Sequence, residues 1–274
     1  MPLLALIVTH LAKIAHWIGR AFEGAALLLT DMLPALLPPA TLTKLIRTHY
    51  ECSYNDADTR FTGASQEWPL EQWEEEVLAR HHILSGKLLV LGTGIGRESI
   101  ALANRGFRVI GLDISRSALR IGAQIARTAG ASVMFVQADF LALPTHPAHL
   151  DYILLPSIMY SSIPSRSWRQ TWLRQLIGLL SPEGLAILQF LVESAPLTRR
   201  KRTGETINRW LTTLPGANRL YQPGDTCPLG HFLHAFQDEQ ELRQELSESG
   251  VVVRELNWSG QYVVVATPPT ARAK

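Results

Sequence analysis

From Lys87 to about residue 191, short and almost wholly apolar runs alternate with stretches of helical period, and this alternation limits the fold more than any other feature. Leu88–Leu91, Phe107–Leu112, Ser132–Gln137, Asp151–Leu155 and Leu185–Leu191 read as strands. Arg97–Arg105, Arg116–Ala129 and Trp168–Leu180 read as helices, the last ending at Ser181-Pro182-Glu183-Gly184. Strands apolar on both faces belong in a parallel sheet covered on both sides. Right-handed crossovers between them then give a doubly wound α/β layer. The end of the chain differs. After a helix over Glu239–Ser249, the strands Val251–Leu256 and Tyr262–Ala266 are separated only by Asn257-Trp258-Ser259-Gly260-Gln261, too little for a crossover helix. They should pair antiparallel.

Upstream, Leu42–Tyr50 has the spacing of a short helix, residues 51–68 read as a polar loop, and residues 70–84 as a charged surface helix. A chain of 274 residues suits one α/β domain with an N-terminal addition, and 46% hydrophobic residues can supply its core. The expected organisation is a helical extension over 1–40, a helical lid segment over 41–86, and the main domain over 87–274 with a substrate-side insertion near 192–236. A net charge of +2 does not suit a dedicated nucleic-acid binder. Cys52 and Cys227 are far apart and lack metal-ligand spacing, so no metal site is expected and a reducing cytoplasm is the simplest compartment.

Residues 1–40 are the compositional outlier, rich in Leu, Ala and Ile. No basic stretch precedes the apolar run, which argues against a secretory signal. Lys13, Arg20, Glu23 and Asp31 interrupt it before a membrane span of about 20 residues accumulates. His10, Lys13, His16 or Trp17, and Arg20 recur at helical steps and leave Leu4, Ile7, Val8, Leu11, Ile14 and Ile18 as a wide apolar face. That face must be covered by the chain's own domain, a protein partner or a membrane surface.

The loop after the first strand is Gly92-Thr93-Gly94-Ile95-Gly96-Arg97-Glu98. Glycines there let the backbone approach a ligand, and the following helix aims its free N–H groups at it. By itself the loop fits a plain turn, a dinucleotide site or an adenosyl-sulfonium site. Arg97 stands where the dinucleotide fingerprint needs its third glycine. Asp113 closes the second strand, where an acid can hold ribose hydroxyls, and Ala138-Asp139-Phe140 follows the third, where an acid and an aromatic ring can meet adenine.

Over residues 86–267 the chain resembles the class I S-adenosylmethionine-dependent methyltransferases. LLVLGTGIGRES, VIGLDIS, QADFLALP, DYILLPS and LLSPEGLAILQF are similar to that family's successive motifs, and VVVREL…YVVVAT to its reversed final strand. The resemblance implies a mostly parallel, seven-stranded Rossmann-like sheet with an antiparallel C-terminal strand, S-adenosylmethionine as methyl donor and S-adenosylhomocysteine as product. It places Gly92, Thr93, Gly94 and Gly96 around the methionine part, Asp113 and Ile114 at the ribose, Asp139 and Phe140 at adenine, and Leu155 and Pro156 near the sulfonium. Val90 departs from the pattern, because many members carry an acid two residues before the first glycine.

The acceptor should lie beyond the carboxyl ends of the strands. Tyr160, in Ser157-Ile158-Met159-Tyr160-Ser161-Ser162, can close over it or serve as a rim residue. His231 and His234 are the candidate general bases, with a structural role as the alternative, and His81 and His82 sit on a surface helix. Arg199-Arg200-Lys201-Arg202 reads as a solvated loop, or as a site for phosphate, carboxylate or anionic lipid. Tyr50 to Tyr54 resembles the lid that small-molecule methyltransferases fold over the cofactor. The reading is therefore methyl transfer to the O, N or S atom of a small molecule. A lipid or lipid-linked acceptor at a membrane surface, a non-catalytic scaffold on the same fold and a nicotinamide oxidoreductase stay open.

Overall fold

A computed structural model describes residues 19, 26, 29–52, 69–144, 149–193 and 199–268. The amphipathic stripe expected over residues 4–18 and most of the polar loop expected over 51–68 lie outside the described residues.

Helical residues 29–36 lead into α1 (Pro39–Cys52), longer than the Leu42–Tyr50 expected. Proline suits the first helical position because its missing N–H has no partner there anyway. Leu42 and Ile46 share one face of α1 and are buried with Cys227 and Phe232. The surface helix shortens to α2 (Gln72–Arg80). Glu74 Oε2 accepts the Glu71 N–H at 2.6 Å at its start, and His82, at φ 53°, ends it.

The core alternates as the sequence implies: β1 (Lys87–Leu91), α3 (Arg97–Asn104), β2 (Arg108–Asp113), α4 (Arg116–Thr128), β3 (Val133–Gln137), β4 (Leu150–Leu155), α5 (Arg166–Ile177) and β5 (Leu180–Gln189). The sheet order is β3-β2-β1-β4-β5-β10-β9, with β9 (Val252–Asn257) and β10 (Tyr262–Ala266) following α7 (Glu239–Glu248). β10 is antiparallel to both neighbours, and the pairs among β1 to β5 are parallel. The seven-stranded, doubly wound sheet with a reversed strand is present. Both of its faces are buried, one under α5 and α7 and the other under α2, α3 and α4.

One boundary is corrected. Ser181-Pro182-Glu183-Gly184 is not the turn after α5 but the start of β5, which opens at Leu180 against Leu150. An irregularity in pairing between Leu150 and Tyr152 admits it. A Cβ on Gly184 would fall 2.8 Å from the Leu150 carbonyl oxygen, so only glycine lets the two backbones approach there.

The insertion holds β6 (Leu191–Val192), α6 (Arg199–Leu211), β7 (Asp225–Thr226) and β8 (Leu233–Phe236). The basic run is therefore the start of a helix and not a loop, consistent with the good helix propensity of Arg and Lys. β6, β8 and β7 form a second, three-stranded sheet. Buried polar groups fix it to the main domain. Arg169 on α5 makes a two-pronged pair with Glu245 on α7, at 2.8 Å from both Nε and Nη2, and its Nη2 also donates to Gln222 at 3.2 Å. Among the described residues no helix is long and apolar enough to cross a membrane.

Candidate active site

The carboxyl ends of β1, β2 and β4 open into a cavity of about 330 Å³. Gly92, Leu112, Asp113, Ile114, Asp139 and Phe140 line one side. Ser157, Ile158 and Met159 line the β4 end, and Ile46, Arg47, Tyr50, His231 and Leu233 cover it.

The glycine loop is held by its own polar groups. Thr93 donates its N–H to the Leu112 carbonyl at 2.9 Å, and its hydroxyl lies 2.6 Å from that of Ser99. Gly92, Gly94 and Gly96 all have positive φ, a conformation open to glycine at little cost. Arg97, the residue that breaks the dinucleotide pattern, faces away from the loop. It grips Glu74 on α2 through both Nη atoms, at 2.9 and 3.0 Å, and Glu98 at 2.6 Å. Its task is to fasten α2 against the loop helix.

Asp113 is 8% exposed. Its Oδ2 accepts the Gly94 N–H at 2.8 Å and its Oδ1 the Ser115 N–H at 2.8 Å. Burial raises its pKa against the pull of those N–H groups. A carboxylate has about four acceptor sites, which the N–H groups of Gly94, Ser115 and Ile114 do not exhaust, and a vicinal diol needs such spare capacity. Asp139 accepts the Leu141 N–H at 2.9 Å through Oδ1 and Arg47 Nε at 2.6 Å through Oδ2.

Ser157 and Ile158 occupy the left-handed region at φ 57° and 55°. Ile158 is β-branched, so this conformation is costly and persists because the surroundings impose it. Gln189 Oε1 accepts the Ile158 N–H at 3.2 Å, and Met159 turns back over Gly92. A Cβ on Gly92 would meet Met159 Sδ at 2.0 Å, so Met159 packs directly on this glycine, whose φ of +65° disfavours any other residue.

Residues 88–184 match the family model described as a methyltransferase domain. The chain is 33% identical over 104 residues to thiocyanate methyltransferase 1 of Brassica oleracea, covering 36% of this chain and 43% of that protein. The chain spans about half the length, or less, of the curated relatives it matches. It is similar in structure to 1,6-didemethyltoxoflavin-N1-methyltransferase of Burkholderia thailandensis, solved with S-adenosylhomocysteine, with a TM-score of 0.58 at 18% identity over 85% of this chain and 92% of that one. An S-adenosylmethionine-dependent methyltransferase of Methanosarcina mazei gives 0.53 at 19% identity over 70% and 96%. Residues 88–184 thus match a methyltransferase domain, and the sheet built on them has the fold of S-adenosylmethionine-dependent methyltransferases.

Within this methyltransferase domain the structure sorts the expected donor-binding residues. Gly92, Asp113, Ile114, Asp139 and Phe140 face the cavity. Gly94 acts through its N–H on Asp113, while Thr93 turns inward and Leu155 and Pro156 are buried behind the β4 end. Val90 is fully buried in the core, so an apolar contact stands where many members place an acid. The two acids at strand ends and the glycine approach fit an adenosyl-sulfonium group.

The three candidate catalytic residues part company. His231 is on the cavity wall, with Nε2 2.9 Å from the Tyr50 hydroxyl and its ring stacked on His49 at 4.7 Å. Burial, and then the neighbouring His49, lower its pKa to about 4, so the ring is neutral near pH 7. Tyr160 is buried and does not line the cavity; its hydroxyl donates to Glu245 at 2.7 Å and its ring stacks on Phe236. His234 is also buried outside it. Its Nδ1 lies 2.8 Å from Asp225 and its Nε2 3.3 Å from Glu241, the latter an ion-pair distance without hydrogen-bond alignment. Burial opposes its charge and these carboxylates overcome that, so its pKa is raised. Tyr160 and His234, both expected on the acceptor side, thus lie in the buried network and not on the cavity wall. Arg47 and Met159 reach the cavity without any motif marking them, while Tyr50 does so from the expected lid and Leu112 from the VIGLDIS motif.

Proposed function

We propose that the protein transfers the methyl group of S-adenosylmethionine to an O, N or S atom of a small molecule. The observation that carries this reading is one cavity with Asp113 and Asp139 on its donor side and the Tyr50–His231 pair on its other wall. The sulfonium supplies an activated methyl carbon; the chain has to align the acceptor, exclude water and take up a proton. α1 covers the cavity as a lid, and Ile46, Leu233 and Ile158 make the covered side apolar. With Nε2–H donated to the Tyr50 hydroxyl, which holds the ring in place from the lid, neutral His231 keeps the Nδ1 lone pair to accept the acceptor's proton.

The test measures S-adenosylhomocysteine release with phenols, amines and thiols as acceptor panels. His231→Asn should lower turnover about 10²–10⁴-fold and leave cofactor affinity in place. Turnover unchanged in that variant removes His231 from the mechanism.

A further inference from the structure

Between residues 199 and 220 the sequence carries Arg199, Arg200, Lys201, Arg202, Arg209 and Arg219 against the single acid Glu205, in a chain whose net charge is only +2. This segment is α6 and the turns after it. Asn208 is buried, and its amide donates to the Asp31 carbonyl at 2.9 Å. Asn218 reaches the Pro34 carbonyl at 2.7 Å and gives its N–H to Ala35 at 2.9 Å. Helical residues 29–36 and the basic segment therefore form one lobe.

The outer side of this lobe is apolar as well as basic. Trp210 lies two residues after buried Asn208, about 200° around the helix, and is 63% exposed. Turns continue past α6, with Thr213 N–H to Trp210 and Leu214 N–H to Leu211, and both Trp210 and Leu214 are exposed. Leu214 is 36% exposed, Leu220 48% and Leu29 67%, and Arg209 and Arg219, next in sequence to Trp210 and Leu220, are exposed as well. Leu29 is also where the apolar sequence of residues 1–28 joins the lobe.

Exposed Trp and Leu interleaved with Arg are the composition of a surface that enters the headgroup region of a bilayer, where indole and aliphatic groups reach the acyl boundary and guanidinium groups meet phosphate. We propose that this lobe docks the protein on an anionic membrane surface. The inference does not rest on which acceptor is methylated.

Co-sedimentation of the full chain with phosphatidylcholine vesicles, with and without phosphatidylglycerol, tests it. The chain should pellet with the anionic vesicles and be released by salt. Arg209→Ala and Arg219→Ala should each weaken binding about fivefold, and Trp210→Ala with Leu214→Ser about tenfold or more. All of these variants should bind S-adenosylhomocysteine as the parent does, which shows that they fold. The proposal is overturned if the parent stays in the supernatant with anionic vesicles at low salt, if it binds both vesicle types equally, or if the variants bind as well as the parent. Self-association abolished by Trp210→Ala, without vesicle binding, would assign the lobe to a protein interface instead.

Discussion

Arg47 on the lid helix closes onto Asp139 at the end of β3, with Nε 2.6 Å from Oδ2. The acid expected at the adenine edge is thus already paired, and the pair ties α1 across the donor side of the cavity. Adenine and Arg47 then compete for one carboxylate. The pair is partly exposed, with Arg47 at 44%, so it contributes only ~0.2–1 kcal/mol. Arg47→Ala should raise affinity for S-adenosylhomocysteine about two- to fivefold, most clearly at low salt. Isothermal calorimetry reads this directly, and weaker binding in the variant would make Arg47 a cofactor contact.

Glu98 predicts a pH dependence of stability. Burial lifts its carboxyl from 4.5 to about 7 against the pull of Arg97. Between these values the folded chain keeps a proton that the unfolded chain has lost, so stability falls as pH rises through this window and stays lower above it. Glu98→Gln removes the titration. The variant should gain on the parent from about pH 5 to about pH 8, by an amount on the order of 3 kcal/mol at most. Melting curves that keep a constant separation over that range would contradict this.

The Arg169–Glu245 pair is fully buried, so its removal is costly in a different way. Arg169→Met leaves Glu245 charged without its partner and should destabilise by about 3–5 kcal/mol. Tyr160→Phe removes one hydrogen bond to the same carboxylate and should cost about 1–3 kcal/mol. Denaturant unfolding of both variants checks the order. If Tyr160→Phe instead kept stability and lost methyl transfer, Tyr160 would return to the acceptor site.

The main sheet was legible because β1, β2 and β4 are apolar on both faces, a pattern that leaves few alternatives to a covered parallel sheet. The small sheet was not, since β6 and β7 have two residues each and no period to detect. Ser181-Pro182-Glu183-Gly184 misled because its residues are turn formers, and only the pairing of Leu180 with Leu150 makes it strand. Asp113 and Asp139 could be found from their places at strand ends. Arg47 could not, because 92 residues separate it from Asp139 and no local rule links them. His231 and His234 are three residues apart, and sequence could not tell which one faced the cavity. Asp225 and Glu241, brought in by β7 and α7, decide that His234 is internal.

The most direct measurement is calorimetric titration of S-adenosylhomocysteine into the full chain and into Asp113→Ala and Asp113→Asn. The parent should bind. Asp113→Ala loses the carboxylate that would hold both ribose hydroxyls and should bind about a hundredfold more weakly, with Asp113→Asn between the two. No heat with the parent, or parental affinity in Asp113→Ala, would contradict the account of the donor site.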